Sequence, residues 1–186
     1  MQNSPSTLLA LGVALVLVFI LPLITLTGRI DNVSQENLQK IVDELVIDVS
    51  NTGKLTRARF QEFEIELDST GNNSYDIEIQ IQHIDENPGK KTAQAQYTKI
   101  GENVYYSEYT TQILNQIGIK TDNNDVDTNN DVILLKEGDI ITVEVKNSNS
   151  TTAQTLKSSF LGFSNVGEYT IIASASRMVT VKGVKD

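Results

Sequence analysis

The chain has 186 residues, one histidine, no cysteine and no tryptophan, and its 24 acidic against 15 basic residues give a formal net charge of −9. Such a surface repels a phosphate backbone and an anionic lipid face, so no nucleic-acid partner is expected. The lack of cysteine excludes disulfides, thiol catalysis and cysteine–zinc sites, and the length leaves room for about one domain beyond a terminal segment.

Leu8 to Thr27 reads LLALGVALVLVFILPLITLT and holds no charged residue. About 20 such residues suffice for a helix to cross ~30 Å of hydrocarbon, so a single transmembrane anchor is expected over residues 1–28. Pro22 is its only helix breaker. The preceding MQNSPST has no Lys or Arg and no A-x-A follows, which favours an uncleaved anchor over a cleaved signal peptide. The expected location is the cell membrane, single-pass, with the head extracytoplasmic. Ala10 and Ala14 offer only a weak small-residue seam, with Gly12 on another face.

Asp31 to Val49 predicts an amphipathic helix, with Leu38, Ile41, Val42, Leu45 and Val49 on one face. Leu38, Ile41, Leu45 and Val49 form the candidate interaction face. Two readings stand for it: the domain's own core, or a contact with neighbouring subunits. Because this stripe lies in water, where burial stabilises by ~25 cal/mol per Å², contacts along 31–50 are expected to contribute more to any assembly than residues 8–27 do. Thr56 to about Ser69 predicts a second helix, with Thr56 as N-cap and Leu55 and Phe60 as a hydrophobic staple. The two would form a helical hairpin over 29–71.

From Tyr75 to Ile84 the period changes to two, as in a half-buried strand. Asn87-Pro88-Gly89 signals a turn, and Thr92 to Lys99 a weaker returning strand. Tyr105, Tyr106 and Tyr109 precede a short helix over 110–117. DNNDVDTNND, residues 122–131, is an acidic loop. Asp127, Asn129 and Asp131 match the start of a calcium loop, but Val132 stands where glycine is needed and Gly138 where a bidentate Glu belongs. A solvated turn fits better. Ile140 to Lys146 is another alternating strand, Ala153 to Phe163 a short helix, and Tyr169 to Val181 a long strand interrupted by Arg177.

Helices followed by strands predict an α+β fold, with an N-terminal transmembrane helix, a helical hairpin and an antiparallel sheet of about four strands in a head over 72–186. No catalytic constellation accompanies His83: there is no G-x-S-x-G, no phosphate loop and no second histidine. Glu62, Glu64 and Glu66 read as a solvated helix surface. No enzyme activity, cofactor or metal is expected.

The runs TGKLTRARFQEFEIELDSTGNNSYDIEI, HIDENPGKK, LLKEGDIITVEVKN and YTIIASASRMVTVKG resemble membrane-anchored, pilin-like proteins of Gram-positive, clostridial-type bacteria. These are TadE-like components associated with tight-adherence pili. The resemblance implies an anchor helix, an extracytoplasmic α+β head and a role in building a surface filament or export machine. The implied partners are the membrane and other pilin-like or assembly-machine proteins. Type IV prepilins carry a Gly just before the apolar run and a Glu five residues into the mature chain. Here Ser6-Thr7 precede the run and no Glu lies in it, which argues against prepilin-peptidase processing and a major-pilin role. The alternative is an anchored binding module using the acidic loop or the tyrosine group.

Overall fold

The computed structural model describes residues 4–70, 74–84, 105–119, 131–149 and 172–184. Its first element is one helix, α1 (Ser4–Thr52), of 49 residues, roughly 70 Å long at 1.5 Å per residue. Pro22 lies inside it and the helix runs on through that position. It ends where Gly53 takes φ 65° and its N–H caps the Val49 carbonyl at 2.9 Å. After it come β1 (Lys54–Thr56), α2 (Arg57–Ser69), β2 (Tyr75–Ile84), β3 (Tyr105–Tyr109) and α3 (Thr110–Gln116). β4 (Val132–Leu134), β5 (Ile140–Asn147) and β6 (Ile172–Met178) complete the order.

Two expectations are corrected. Residues 8–27 were expected to be a transmembrane helix distinct from a helix over 31–49. Among the described residues, no helix is long and apolar enough to cross a membrane. The described side chains of the apolar run extend without interruption only from Leu8 to Ile20, about 20 Å at 1.5 Å per residue and short of ~30 Å of hydrocarbon, and α1 then continues as one helix into the head. The helical hairpin is also replaced. α1 and α2 are joined through β1, which pairs antiparallel with β4 in a small second sheet absent from the sequence reading.

The α+β class and the four-stranded antiparallel sheet are as expected, in the order β3-β2-β5-β6. Alternation sets its buried face. Ile79 stands opposite Val143, Ile81 opposite Ile141, and Val145 opposite Ala173. All six are buried. On this face lies the second half of α1, chiefly against β6 and β5. Leu38, Val42, Leu45, Val46 and Val49 are each at most 1 % exposed. Burying a side chain of this size stabilises by about 1.5–3 kcal/mol, so the stripe is a large share of the core's driving force.

α1 also closes the outer edge of β6. The Gln39 amide nitrogen donates to the Ser174 carbonyl at 3.0 Å, and the Ser174 N–H donates to the Gln39 carbonyl oxygen at 3.3 Å. Gln35 makes the same exchange with Ile172. The spacings match: four helical residues advance about 6 Å and two strand residues about 6.8 Å. Two glutamines one turn apart thus stand in for a neighbouring strand.

α2 starts as its sequence indicates. The Thr56 hydroxyl accepts from the Arg59 N–H at 3.2 Å, and Leu55 and Phe60 are both buried. β2 has β3 and β5 as neighbours. The Asn87-Pro88-Gly89 turn, the 92–99 strand, the loop over 122–130, the 153–163 helix and residues 169–171 lie outside the described residues.

Leu45→Asp is expected to remove cooperative folding of the head, because an unpaired buried charge costs more than about 3 kcal/mol, much of a domain's stability. Gly12→Leu is expected to leave the head's stability unchanged, since a Cβ there meets nothing within 4 Å. Urea denaturation of the full chain, followed by circular dichroism, checks both.

Candidate functional site

α1 divides into two halves with opposite relations to the head. From Leu8 to Phe19 the large apolar side chains are exposed: Leu9 is 71 % accessible, Leu15 52 % and Phe19 66 %. They point in every direction around the rod, so the exposure is not a single stripe. A helix apolar on all sides belongs in apolar surroundings, and exposed apolar surface on this scale marks an interaction site.

The expected interaction face lies elsewhere in the structure. Leu38, Leu45 and Val49 are fully buried against the sheet, and Ile41 packs at the margin of the same cluster. The intramolecular reading of this stripe is the one observed. These side chains are already covered, and the exposed large apolar side chains of α1 lie mainly at 8–19, with Val33 and Ile47 further along.

The single histidine is held between two carboxylates. His83 Nδ1 lies 2.9 Å from Asp139 Oδ2, and its Nε2 lies 3.7 Å from Glu108 Oε2. Tyr106 stacks on the ring at 5.0 Å between centroids. Asp139 is fully buried, and the rest of its hydrogen bonding is to backbone. Its carboxylate accepts from the Lys136 N–H at 2.8 Å and the Ile84 N–H at 3.1 Å. The sequence marks Asp139 only as the end of a Glu137-Gly138-Asp139 turn. In the fold it ties that turn to the end of β2. In a Ser–His–Asp device a hydroxyl sits at the second ring nitrogen; here that nitrogen faces Glu108. The cluster's geometry is that of a structural staple.

On α2, the acids do not form one solvated face. Arg59, 18 % exposed, reaches Asp48 of α1 at 3.4 Å and Glu62 at 3.4 Å, with Glu66 at 3.9 Å. The Asp48 pair ties α2 to α1, while Glu62 and Glu66 hold Arg59 from its own helix. Glu64 and Asp68, one turn apart, instead line a groove of about 550 Å³ between α2 and β2, with Gln61, Ile65, Tyr75 and Ile77. Burial, and then the neighbouring Asp68 carboxylate, push the Glu64 carboxyl above its ordinary 4.5. The sequence signal for this groove is the i, i+4 pair beside an apolar residue; the parity of Glu62, Glu64 and Glu66 hides it.

Tyr105, Tyr106 and Tyr109 form β3, the edge of the sheet opposite β6, and are 39 %, 47 % and 59 % exposed. Of the acidic loop only Asp131 is described, and it is tied to Arg57 by a 3.1 Å ion pair. Among the described residues, no group of three or more His, Asp or Glu side chains is placed to hold a metal ion. No family model, curated protein or solved structure matches this chain.

The raised Glu64 carboxyl makes a signed prediction. The folded state keeps that proton to higher pH than the unfolded chain, so the term costs stability as pH rises above 4.5 and vanishes well below it. Glu64→Gln is therefore expected to raise the urea midpoint at pH 7 and to have no effect near pH 3. Paired unfolding curves at the two pH values measure it.

Proposed function

We propose that this protein is a pilin-like structural or assembly component of a surface filament or export machine. In this reading copies associate through the apolar first half of α1, and the α+β head is carried on the outside. One observation carries the reading: a single helix exposes apolar side chains on all sides from Leu8 to Phe19 and then buries its stripe in the head from Leu38 onward. Shaft and head are thus joined by continuous helix and not by a linker.

The physical consequence favours repeated association over a single contact. A rod apolar all round cannot be covered by one partner surface on one side. Several copies of the same rod, packed together, cover one another. Burial then stabilises by about 25 cal/mol per Å² of apolar area removed from water. The resemblance to TadE-like, pilin-associated proteins supports the same reading, and so does the absence of a recognisable catalytic motif from the sequence.

Leu15 and Phe19 lie one turn apart on the exposed rod. In cells that make this protein, the double variant Leu15→Asp and Phe19→Asp is expected to abolish surface filaments seen by electron microscopy. The thermal unfolding curve of the full-length double variant is expected to stay as in the parent, because neither side chain touches the head's core. Filaments of unchanged number and length in the double variant, or in a deletion strain, would overturn the reading.

A further inference from the structure

Two surfaces of the head carry opposite charge and sit at opposite ends of the sheet. The first is the groove between α2 and β2. Glu64 and Asp68 supply negative charge along one wall, and Ile65, 70 % exposed, with Ile77 supplies apolar surface. The second is the segment 177–184, which follows from β6. There Arg177 and Lys182 are exposed, and Met178, Val181 and Val184 are 55 %, 50 % and 66 % exposed. It is a basic, apolar strip in a chain whose net charge is −9.

Strand register fixes their separation. Tyr75 and Ile77 of the groove pair with Asn147 and Val145 at one end of β5. Met178 pairs with Ile140 at the other end, beside Gln82. Five to seven strand residues, roughly 20 Å, lie between the two surfaces. They cannot meet within one copy, but they can meet between copies.

The C-terminal strip is also held in shape. The Val179 N–H donates to the Asp139 carbonyl at 2.7 Å, and the Thr180 N–H to the Ser50 carbonyl at 2.9 Å. The Gly183 N–H donates to the Leu135 carbonyl at 2.9 Å. Val179 and Gly183 are buried, while Met178, Val181 and Val184 are exposed. A pre-shaped strip loses little freedom on docking. Burial first, and then the Asp68 carboxylate, raise the Glu64 carboxyl, and an incoming cation offsets the second of these.

We propose that the strip 177–184 of one copy docks into the α2–β2 groove of the next, a head-to-tail contact that rests on the filament-subunit reading above. The occupant is a second copy of this chain because that copy carries the matching chemistry, basic against acidic and apolar against apolar. The contact joins different surfaces of the two copies, so each added copy leaves one groove and one strip open. Such a contact builds an open filament wherever the rotation between copies does not close a ring.

The chain has no cysteine of its own, so engineered cysteines report this contact without background. Ile65→Cys with Val181→Cys, in full-length protein in cells that assemble it, is expected to give a ladder of disulfide-linked dimers, trimers and higher species on mild oxidation. Either cysteine alone is expected to give no ladder. Glu64→Lys with Asp68→Lys is expected to reduce the ladder at least about tenfold, since facing like charges cost more than ~1.4 kcal/mol. Adding Arg177→Glu and Lys182→Glu is expected to restore it. That restoration separates lost contact from lost folding, because a misfolded head cannot be rescued by a second charge change. A missing ladder in cells that still show filaments overturns this contact and leaves the subunit reading standing. A missing ladder with no filaments overturns both. Dimers from Val181→Cys alone, as abundant as those from the double variant, would show a symmetric contact and also overturn the proposal.

Discussion

Burial of one helical stripe against one sheet face determines the rest of this structure. Leu38, Val42, Leu45, Val46 and Val49 occupy the apolar face made by β2, β5 and β6. A helix can commit such a stripe only once. Because it is committed to the head, the apolar residues from Leu8 to Phe19 are left without cover in the single chain. The same commitment brings Gln35 and Gln39 over the edge of β6, and places Asp48 where Arg59 of α2 can reach it.

The C-terminal end of α1 is fixed as firmly as its stripe. Gly53 ends the helix in a left-handed conformation, and its neighbours leave no room for a side chain: an added Cβ would lie 2.3 Å from the Val181 carbonyl oxygen and 2.4 Å from the Gly183 nitrogen. A Cβ on Gly183 would in turn lie 2.1 Å from the Gly53 carbonyl oxygen. These two backbones pass each other at glycine because only glycine permits the approach. The Gly53 carbonyl then accepts from Leu135, whose own carbonyl accepts from Gly183. Buried Asp139 holds the adjoining turn.

Much of this was legible in the sequence because it rests on local periodicity. The α2 cap at Thr56, the Tyr75–Ile84 strand, the Ile140 strand and the short helix after Tyr109 all follow from spacing and end residues. The inward face of the α1 stripe was legible as well. What the sequence hid depends on contacts distant in the chain. The β1–β4 pairing joins three residues after α1 to three residues near 133, and strands that short carry no alternation to read. Gln35 and Gln39 look like ordinary surface glutamines until β6 lies beside them, 135 or more residues later. The apolar run had the composition of an anchor, but composition does not reveal that it continues as one helix into the head.

A chain that associates through chosen surfaces must also close those it does not use. The edge of a sheet is an open row of donors and acceptors that recruits other strands. Here Gln35 and Gln39 occupy that row at Ile172 and Ser174. At the opposite side, where β3 stops at Tyr109, the Thr110 hydroxyl takes over. It accepts from the Ile79 N–H at 2.8 Å and so continues the ladder one position beyond the strand. Both devices use side chains of helices that are already packed for other reasons, so closing these positions requires no additional element. The apolar run from Leu8 to Phe19 stays exposed, so α1 closes an edge of the head's sheet with its second half and leaves its first half uncovered.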